Sequence, residues 1–182
     1  MSAPVIETAL QAAGREIPAR LLRFYEAFLL RDEGLLDAVL ADRIDWLLAG
    51  PAEQFDHYGS RNGKRAVIEL ITRIMPCYYR PSGFVLEHLM VQGDESAGQM
   101  AVRVRMRAHQ RETGRALDLR SAQFLRFEGK LLTWFRGVPE TFDAVEQMVG
   151  HCIDVARPAG SLRDVPDDLF AAEGAQRADA DR

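Results

Sequence analysis

Cysteine is scarce: Cys77 and Cys152 are the only two in 182 residues, and nothing in their spacing suggests metal ligands. Neither a disulfide framework nor a cysteine-held zinc is expected, and a reducing cytoplasm suits such a chain. Long apolar runs are missing as well, since none approaches the ~20 residues that cross a bilayer. Met1 to Gln11 has neither the charged start nor the continuous apolar core of a secretion signal. Positive charge is not in excess: the formal net charge is −4, which excludes a general nucleic-acid binder. No internal repeat is present. What the chain does have is length and 47% hydrophobic residues, enough for one domain with a proper core.

That core is organised by the stretch from Gly98 to Val138. Three β-type runs, Met100–Ala108, Arg115–Phe127 and Lys130–Val138, are divided by Arg111-Glu112-Thr113-Gly114 and by Glu128-Gly129. This spacing predicts an antiparallel meander. Alternation puts Met100, Val102, Val104, Met106 and Ala108 on one face, opposite Arg103, Arg105, Arg107 and His109. On the second run Leu117, Leu119, Ser121, Gln123, Leu125 and Phe127 share a face. On the third, strict alternation groups Leu132, Trp134, Arg136 and Val138.

Ahead of the meander, residues 1–13 begin a first helix or fray. From Glu16 a helical spacing places Ile17, Leu21, Leu22, Phe24, Tyr25, Phe28 and Leu29 on one side. Leu35 to Leu40 reads as a second helix, and Ile44 to Leu48 as a strand with Ile44, Trp46 and Leu48 on one face. Gly50-Pro51 closes it and opens a loop that carries His57-Tyr58-Gly59. A third helix follows Gly63, with its end expected at Pro76. Phe84–Val91 is a strand apolar on both faces, so the direction of its His88 stays open. Thr141–Val149 forms a last short helix. Residues 1–150 are expected to form the domain, and 151–182 a flexible C-terminal tail.

Three motifs stand in one order. Ala41-Asp42-Arg43-Ile44-Asp45-Trp46 leads into the first strand, Tyr58-Gly59-Ser60-Arg61-Asn62-Gly63-Lys64-Arg65-Ala66-Val67 into the third helix, and Gly129-Lys130-Leu131-Leu132-Thr133-Trp134-Phe135-Arg136 into the last strand. Together they resemble the SnoaL-like branch of the nuclear transport factor 2 and ketosteroid isomerase superfamily, over Glu16 to Met148. The resemblance implies an α+β, cone-shaped curved antiparallel sheet wrapped around about three helices and enclosing an apolar pocket. It further implies that Ser121 and Gln123 look into that pocket, with Trp46, Leu48, Val102, Val104, Trp134 and Arg136 lining it. The outer face, carrying Arg103, Arg105, Phe124 and Arg126, would then meet a second subunit or water. A homodimer through that face is the family's habit.

The chemistry of the family's best-known members is not carried over. A ketosteroid isomerase needs a general-base carboxylate, a tyrosine and a protonated aspartic acid. Threading this sequence onto that pattern puts Leu48, Phe24 (with Tyr25 beside it) and Gln123 at those places, which rejects the activity. A limonene-epoxide hydrolase needs an Asp–Arg–Asp set; Arg136 offers the arginine, but Asp45 and Asp118 face outward by alternation.

Isolated polar groups remain. His57, with Tyr58, reads either as a general base or ligand contact over the pocket mouth, or as a solvated loop histidine. His88 is either satisfied by a neighbour or part of an acid/base pair with His57. Ser121 and Gln123 lie on a buried face and need partners, from a ligand or from water. Arg136 stays ionised and must meet a carboxylate, from the protein (Asp143 and Glu140 are nearest in sequence) or from an anionic ligand.

The reading is a pocket for a small hydrophobic molecule, with or without an anionic group. Any isomerase-, cyclase- or hydrolase-like step would be free of metal and cofactor. The alternative is a non-catalytic assembly subunit of the same fold, like the small subunit of a ring-hydroxylating dioxygenase. Transport of proteins in the manner of nuclear transport factor 2 has no recognisable docking patch to support it.

Overall fold

Alternating burial along one strand explains most of the architecture. Leu117, Leu125 and Phe127 are buried and Leu119, Ser121 and Gln123 half-buried, whereas Ala122, Phe124 and Arg126 are exposed. A strand of this kind must have helices against one face. The computed structural model describes residues 6–8, 17–94 and 96–153. In chain order they form β1 (Ile6–Thr8), α1 (Ala19–Leu30), α2 (Glu33–Val39), β2 (Leu40–Leu48), β3 (Gly59–Asn62) and α3 (Lys64–Glu69). A π-helical stretch, Leu70–Ile74, then joins α3 to α4 (Met75–Tyr78). β4 (Tyr79–Gly93), β5 (Ala97–Gln110), β6 (Ala116–Glu128), β7 (Leu131–Pro139) and α5 (Thr141–Val149) complete the set. The chain divides after His151, and the unit ending there holds all these elements. Of the expected tail, 151–182, residues 154–182 lie outside the described residues. Of residues 1–13, expected to be helical or frayed, the described Ile6–Thr8 are a strand parallel to β4.

The α+β expectation stands, but the cone does not. The sheet is mixed, with the order β1-β4-β5-β6-β7-β2-β3, and it is neither closed nor strongly curled. Two parallel pairs make it mixed where an antiparallel sheet was expected: β1 joins β4 and β2 joins β7. Each adds strands sideways, leaving β1 and β3 as separate edges among the described residues.

The third helix also departs from expectation, since Pro76 does not end it. Met75 N–H reaches the carbonyl of Leu70, five residues back, and the wider π turn accommodates a ring that has no N–H to give. Asp32 starts α2 by accepting from Leu35 N at 2.9 Å.

The largest correction concerns β7. Arg126 pairs with Trp134 but Phe127 pairs with Leu132, so Thr133 is an extra residue in the ladder. Such a bulge shifts the alternation by one residue and exchanges the faces beyond it. Leu132, Phe135 and Gly137 therefore face the core. Trp134 and Arg136 lie on the outer face, not in the pocket. There Arg136 Nη2 binds Asp45 Oδ2 at 2.5 Å, so its carboxylate is neither Asp143 nor Glu140. Trp134 is flanked by two guanidinium carbons, those of Arg136 at 4.5 Å and Arg126 at 5.5 Å from its ring centre. His88 is exposed on the same outer side, opposite Arg103, after a second irregularity between Leu86 and His88.

Arg136→Ala is expected to lower unfolding stability by about 1 kcal/mol, from a partly exposed ion pair and a cation–π contact. Urea unfolding at low and high salt measures it, and part of the loss should vanish in 1 M salt. Affinity for pocket ligands should not change. A large loss of that affinity would put the arginine back in the site.

Candidate functional site

Between the buried face of the sheet and the helices lies a cavity, about 80 Å³ as the space open to the centre of a water-sized sphere. A single water needs only about 10–15 Å³ by that measure, so a compact organic molecule fits. Its apolar wall comes from α1 (Phe28), β2 (Leu48), α4 (Met75), β4 (Phe84), the β5 and β6 side chains Val104, Met106 and Leu119, and α5 (Ala144). The polar groups on the wall are His57, Tyr58, Tyr79, Arg120, Ser121 and Gln123.

The loop after β2 brings in the first pair. Phe55 N–H and Gln54 N–H turn back onto Pro51 O, and Tyr58 N–H onto Phe55 O. Gly50 lets the Tyr58 ring lie against the backbone, because a Cβ there would sit 2.5 Å from that ring. The loop is held from outside by Tyr78, whose hydroxyl donates to Asp56 Oδ1 at 2.7 Å, and by Arg61, which donates to Asp56 O.

His57 is therefore no solvated loop residue; it is 4% exposed. The rings of Tyr58 and Tyr78 stand 4.2 and 4.4 Å away, with Phe55 and Tyr79 each at 5.9 Å. Its Nδ1 is buried without a hydrogen-bond partner among the described residues. Protonation would strand a charged N–H among aromatic rings, and this loss of water pulls the imidazole down to about 4, against a smaller opposing pull from Asp56. Burial likewise raises the phenols of Tyr58 and Tyr79, so both stay protonated donors.

The second polar group is centred on β6. Tyr25 of α1, fully buried, donates from its hydroxyl to Gln123 Oε1 at 2.8 Å. Ser121 turns its hydroxyl to Ala122 O at 3.1 Å. The Arg120 guanidinium stands 3.9 Å from both Asp118 and Glu140, so its charge is matched by the protein.

Of the residues singled out in the sequence, Leu48, His57, Tyr58, Val104, Ser121 and Gln123 come together on this wall. Trp46 and Val102 are core: Trp46 stacks on Phe135 at 3.7 Å, and Val102 is buried without lining the cavity. His88, Trp134 and Arg136 are on the other side of the sheet, so no His57–His88 pair forms. Sequence reasoning missed Tyr25 and Tyr79 as polar partners. Tyr25 carried a signal, since a tyrosine among apolar helix positions needs a partner when buried. Tyr79 had none, because it falls between the helix end expected at Pro76 and the strand expected from Phe84. Among the described residues no group of His, Cys, Asp or Glu is arranged to hold a metal ion.

The low value of His57 makes stability depend on pH. Between 6.5 and about 4 the unfolded chain takes up a proton here that the folded chain refuses. Stability is therefore lost as pH falls through that window, by about 3 kcal/mol in all. Urea unfolding at pH 7 and pH 4.5 should show a smaller fall for His57→Phe than for the unsubstituted chain. Equal falls would mean that the ring is hydrated in the folded state.

Comparison with known proteins agrees with this architecture. Residues 21–135 match the SnoaL-like domain family. The crystal structure of a proposed isomerase from Rhodopseudomonas palustris is 32% identical, over 75% of this chain and 100% of that one, with a TM-score of 0.66. Two more distant structures share the fold alone. One is a ketosteroid isomerase-like protein from Catenulispora acidiphila in complex with trimethylamine (12% identity, 78% of this chain and 100% of that one, TM-score 0.61). The other is a SnoaL-like polyketide cyclase candidate from Jannaschia (10% identity, 74% and 97%, TM-score 0.56). No curated protein matches the sequence. With more than half its length inside the family's match and an open sheet backed by helices around an apolar cavity, this chain belongs to the SnoaL-like domain family and shares the fold of NTF2-like and ketosteroid isomerase-like proteins.

Proposed function

We propose that the cavity binds a small hydrophobic molecule and that His57 acts on it as a cofactor-free general base, with Tyr58 and Gln123 orienting the guest. The observation that carries this reading is the buried imidazole of His57, whose Nδ1 has no hydrogen-bond partner among the described residues, on a largely apolar wall. A base must be unprotonated at working pH and near its substrate. His57 satisfies the first condition throughout the range above about 4. The walls supply donors that could meet negative charge developing on a guest oxygen. No carboxylate lines the cavity among the described residues, which sets this chemistry apart from a carboxylate-based isomerase.

The test is exchange of carbon-bound hydrogen. With cyclohexanone in D2O, His57 would take a proton from the carbon beside the carbonyl while the C–H electron pair forms a C=C bond and the carbonyl π pair moves onto oxygen. Return of a deuteron to carbon restores the ketone, now labelled. Labelling followed by NMR should be faster with the protein than without it and flat from pH 5 to pH 8. His57→Gln is expected to lower the protein's contribution by about 10²–10⁴-fold. A variant as active as the unsubstituted protein would remove His57 from the chemistry.

A second reading concerns the other side of the sheet, where Met90, Phe124 and Val138 are exposed and Met90, Phe124 and Trp134 line a shallow groove. Apolar surface of this kind is commonly covered by a partner, either a second copy of the chain or the larger partner of an assembly subunit. Analytical ultracentrifugation separates the two. A self-contained dimer that Phe124→Lys converts to monomer supports the first. A monomer at all concentrations favours the assembly subunit.

A further inference from the structure

Gln123 has two faces, and only one of them is used inside the protein. Its Oε1 accepts from Tyr25, whereas its Nε2 makes no hydrogen bond among the described residues. Its cross-strand neighbours, Val102 on β5 and Gly137 on β7, have no side-chain acceptor to offer. Ser121, two residues along, is turned toward a backbone carbonyl.

The direction of the amide follows from Tyr25. That hydroxyl is fully buried, with its ring against Phe84 at 4.8 Å and Phe24 at 5.2 Å. Turning the amide over would set Nε2–H against the phenol oxygen and leave the O–H proton with nothing to bond. A stranded buried donor is worse than an unfilled lone pair. Oε1 is therefore held toward Tyr25, and the two Nε2 hydrogens are directed at the cavity that Gln123 lines.

We propose that Tyr25 is a positioning residue that makes Gln123 a fixed donor, so that the cavity selects neutral guests carrying a hydrogen-bond acceptor, such as a ketone, an ester or an ether. This rests on the reading of the cavity as a small-molecule site. Neutrality follows from the wall: it holds no carboxylate among the described residues, and its one cationic residue, Arg120, directs its guanidinium to Asp118 and Glu140 on the opposite face of the sheet. The phenols of Tyr58 and Tyr79 also line the cavity and make no side-chain hydrogen bond among the described residues, which adds donors of the same polarity.

The experiment compares cyclohexanone with methylenecyclohexane, a matched shape without the acceptor, by NMR titration of the full chain. Cyclohexanone should bind about threefold to tenfold more tightly, the factor that one hydrogen bond contributes net. It should also move the side-chain amide signals of Gln123, identified by their absence in Gln123→Leu. Tyr25→Phe should bring the two affinities within about twofold while leaving that for methylenecyclohexane unchanged, an outcome that mere loosening of the core would not give. In the unsubstituted protein the Gln123 amide protons should show no strong NOE to the Tyr25 ring, a test that stands even if Tyr25→Phe does not fold. A strong NOE, equal binding of the two probes, or a ketone preference kept in Tyr25→Phe overturns the proposal. Binding of neither probe removes the small-molecule reading and this proposal with it, whereas equal binding of both removes this proposal alone.

Discussion

Phe24, Trp46 and Phe135 form the contact on which the sheet and the helices settle. The Trp46 and Phe135 rings stack at 3.7 Å and 11°, and Phe24 of α1 leans on them at 6.3 and 6.1 Å. Aromatic rings of this size dominate the energetics of a core, and here they join α1, β2 and β7. The Trp46 indole N–H is already buried without a partner among the described residues. Bringing Trp134 inside instead of Phe135 would bury a second indole N–H, at further cost. The extra residue at Thr133 lets phenylalanine turn inward and tryptophan outward. On the outside Trp134 gains two guanidinium neighbours, and Arg136 gains Asp45.

This contact also determines where the cavity can be. Around the aromatic stack the sheet and helices pack solidly, and space remains farther along β5 and β6, where Val104, Ser121 and Gln123 meet Met75, Phe84 and the loop residues His57 and Tyr58. The polar groups there come from separate parts of the chain and are fixed by different means. Tyr25 orients Gln123 from within the core, whereas Tyr78 and Arg61 hold the His57 loop from outside through Asp56. A wall that is apolar, uncharged toward the guest and furnished with protonated phenols strengthens every hydrogen bond made inside it.

Ionic interactions gather on the opposite face. Arg105 pairs with Asp118, Arg103 with Glu87 and Glu140, and Arg120 with Asp118 and Glu140. Being partly exposed, each contributes little alone. Their effect is to keep the arginines of β5 and β6 in water and to turn the apolar alternates toward the helices. Gln147 of α5 extends this arrangement: its amide accepts from Asp118 N–H at 2.7 Å and donates to Asp118 O at 2.9 Å, bonding the backbone of β6 beyond the end of its pairing with β7.

Local patterns made most of the elements and most of the facing legible, but not the edge strands β1 and β3. The period-two pattern of β5 and β6 placed Val104, Ser121 and Gln123 on the buried side, and the spacing in α1 assigned Phe24 and Phe28 to the core. Those signals are local, since each residue's side follows from its neighbours' period. The three ordered motifs were legible for the same reason. The tertiary structure alone decided whatever depends on a partner distant in sequence. That includes the bulge at Thr133 that moved Trp134 and Arg136 outward, the two parallel pairings that make the sheet mixed, and the π turn that carried the helix past Pro76. It also includes the burial of His57 among rings from 21 and 22 residues further along. Its neutrality and the direction of the Gln123 amide come from desolvation and from a hydroxyl 98 residues away, which no local pattern encodes.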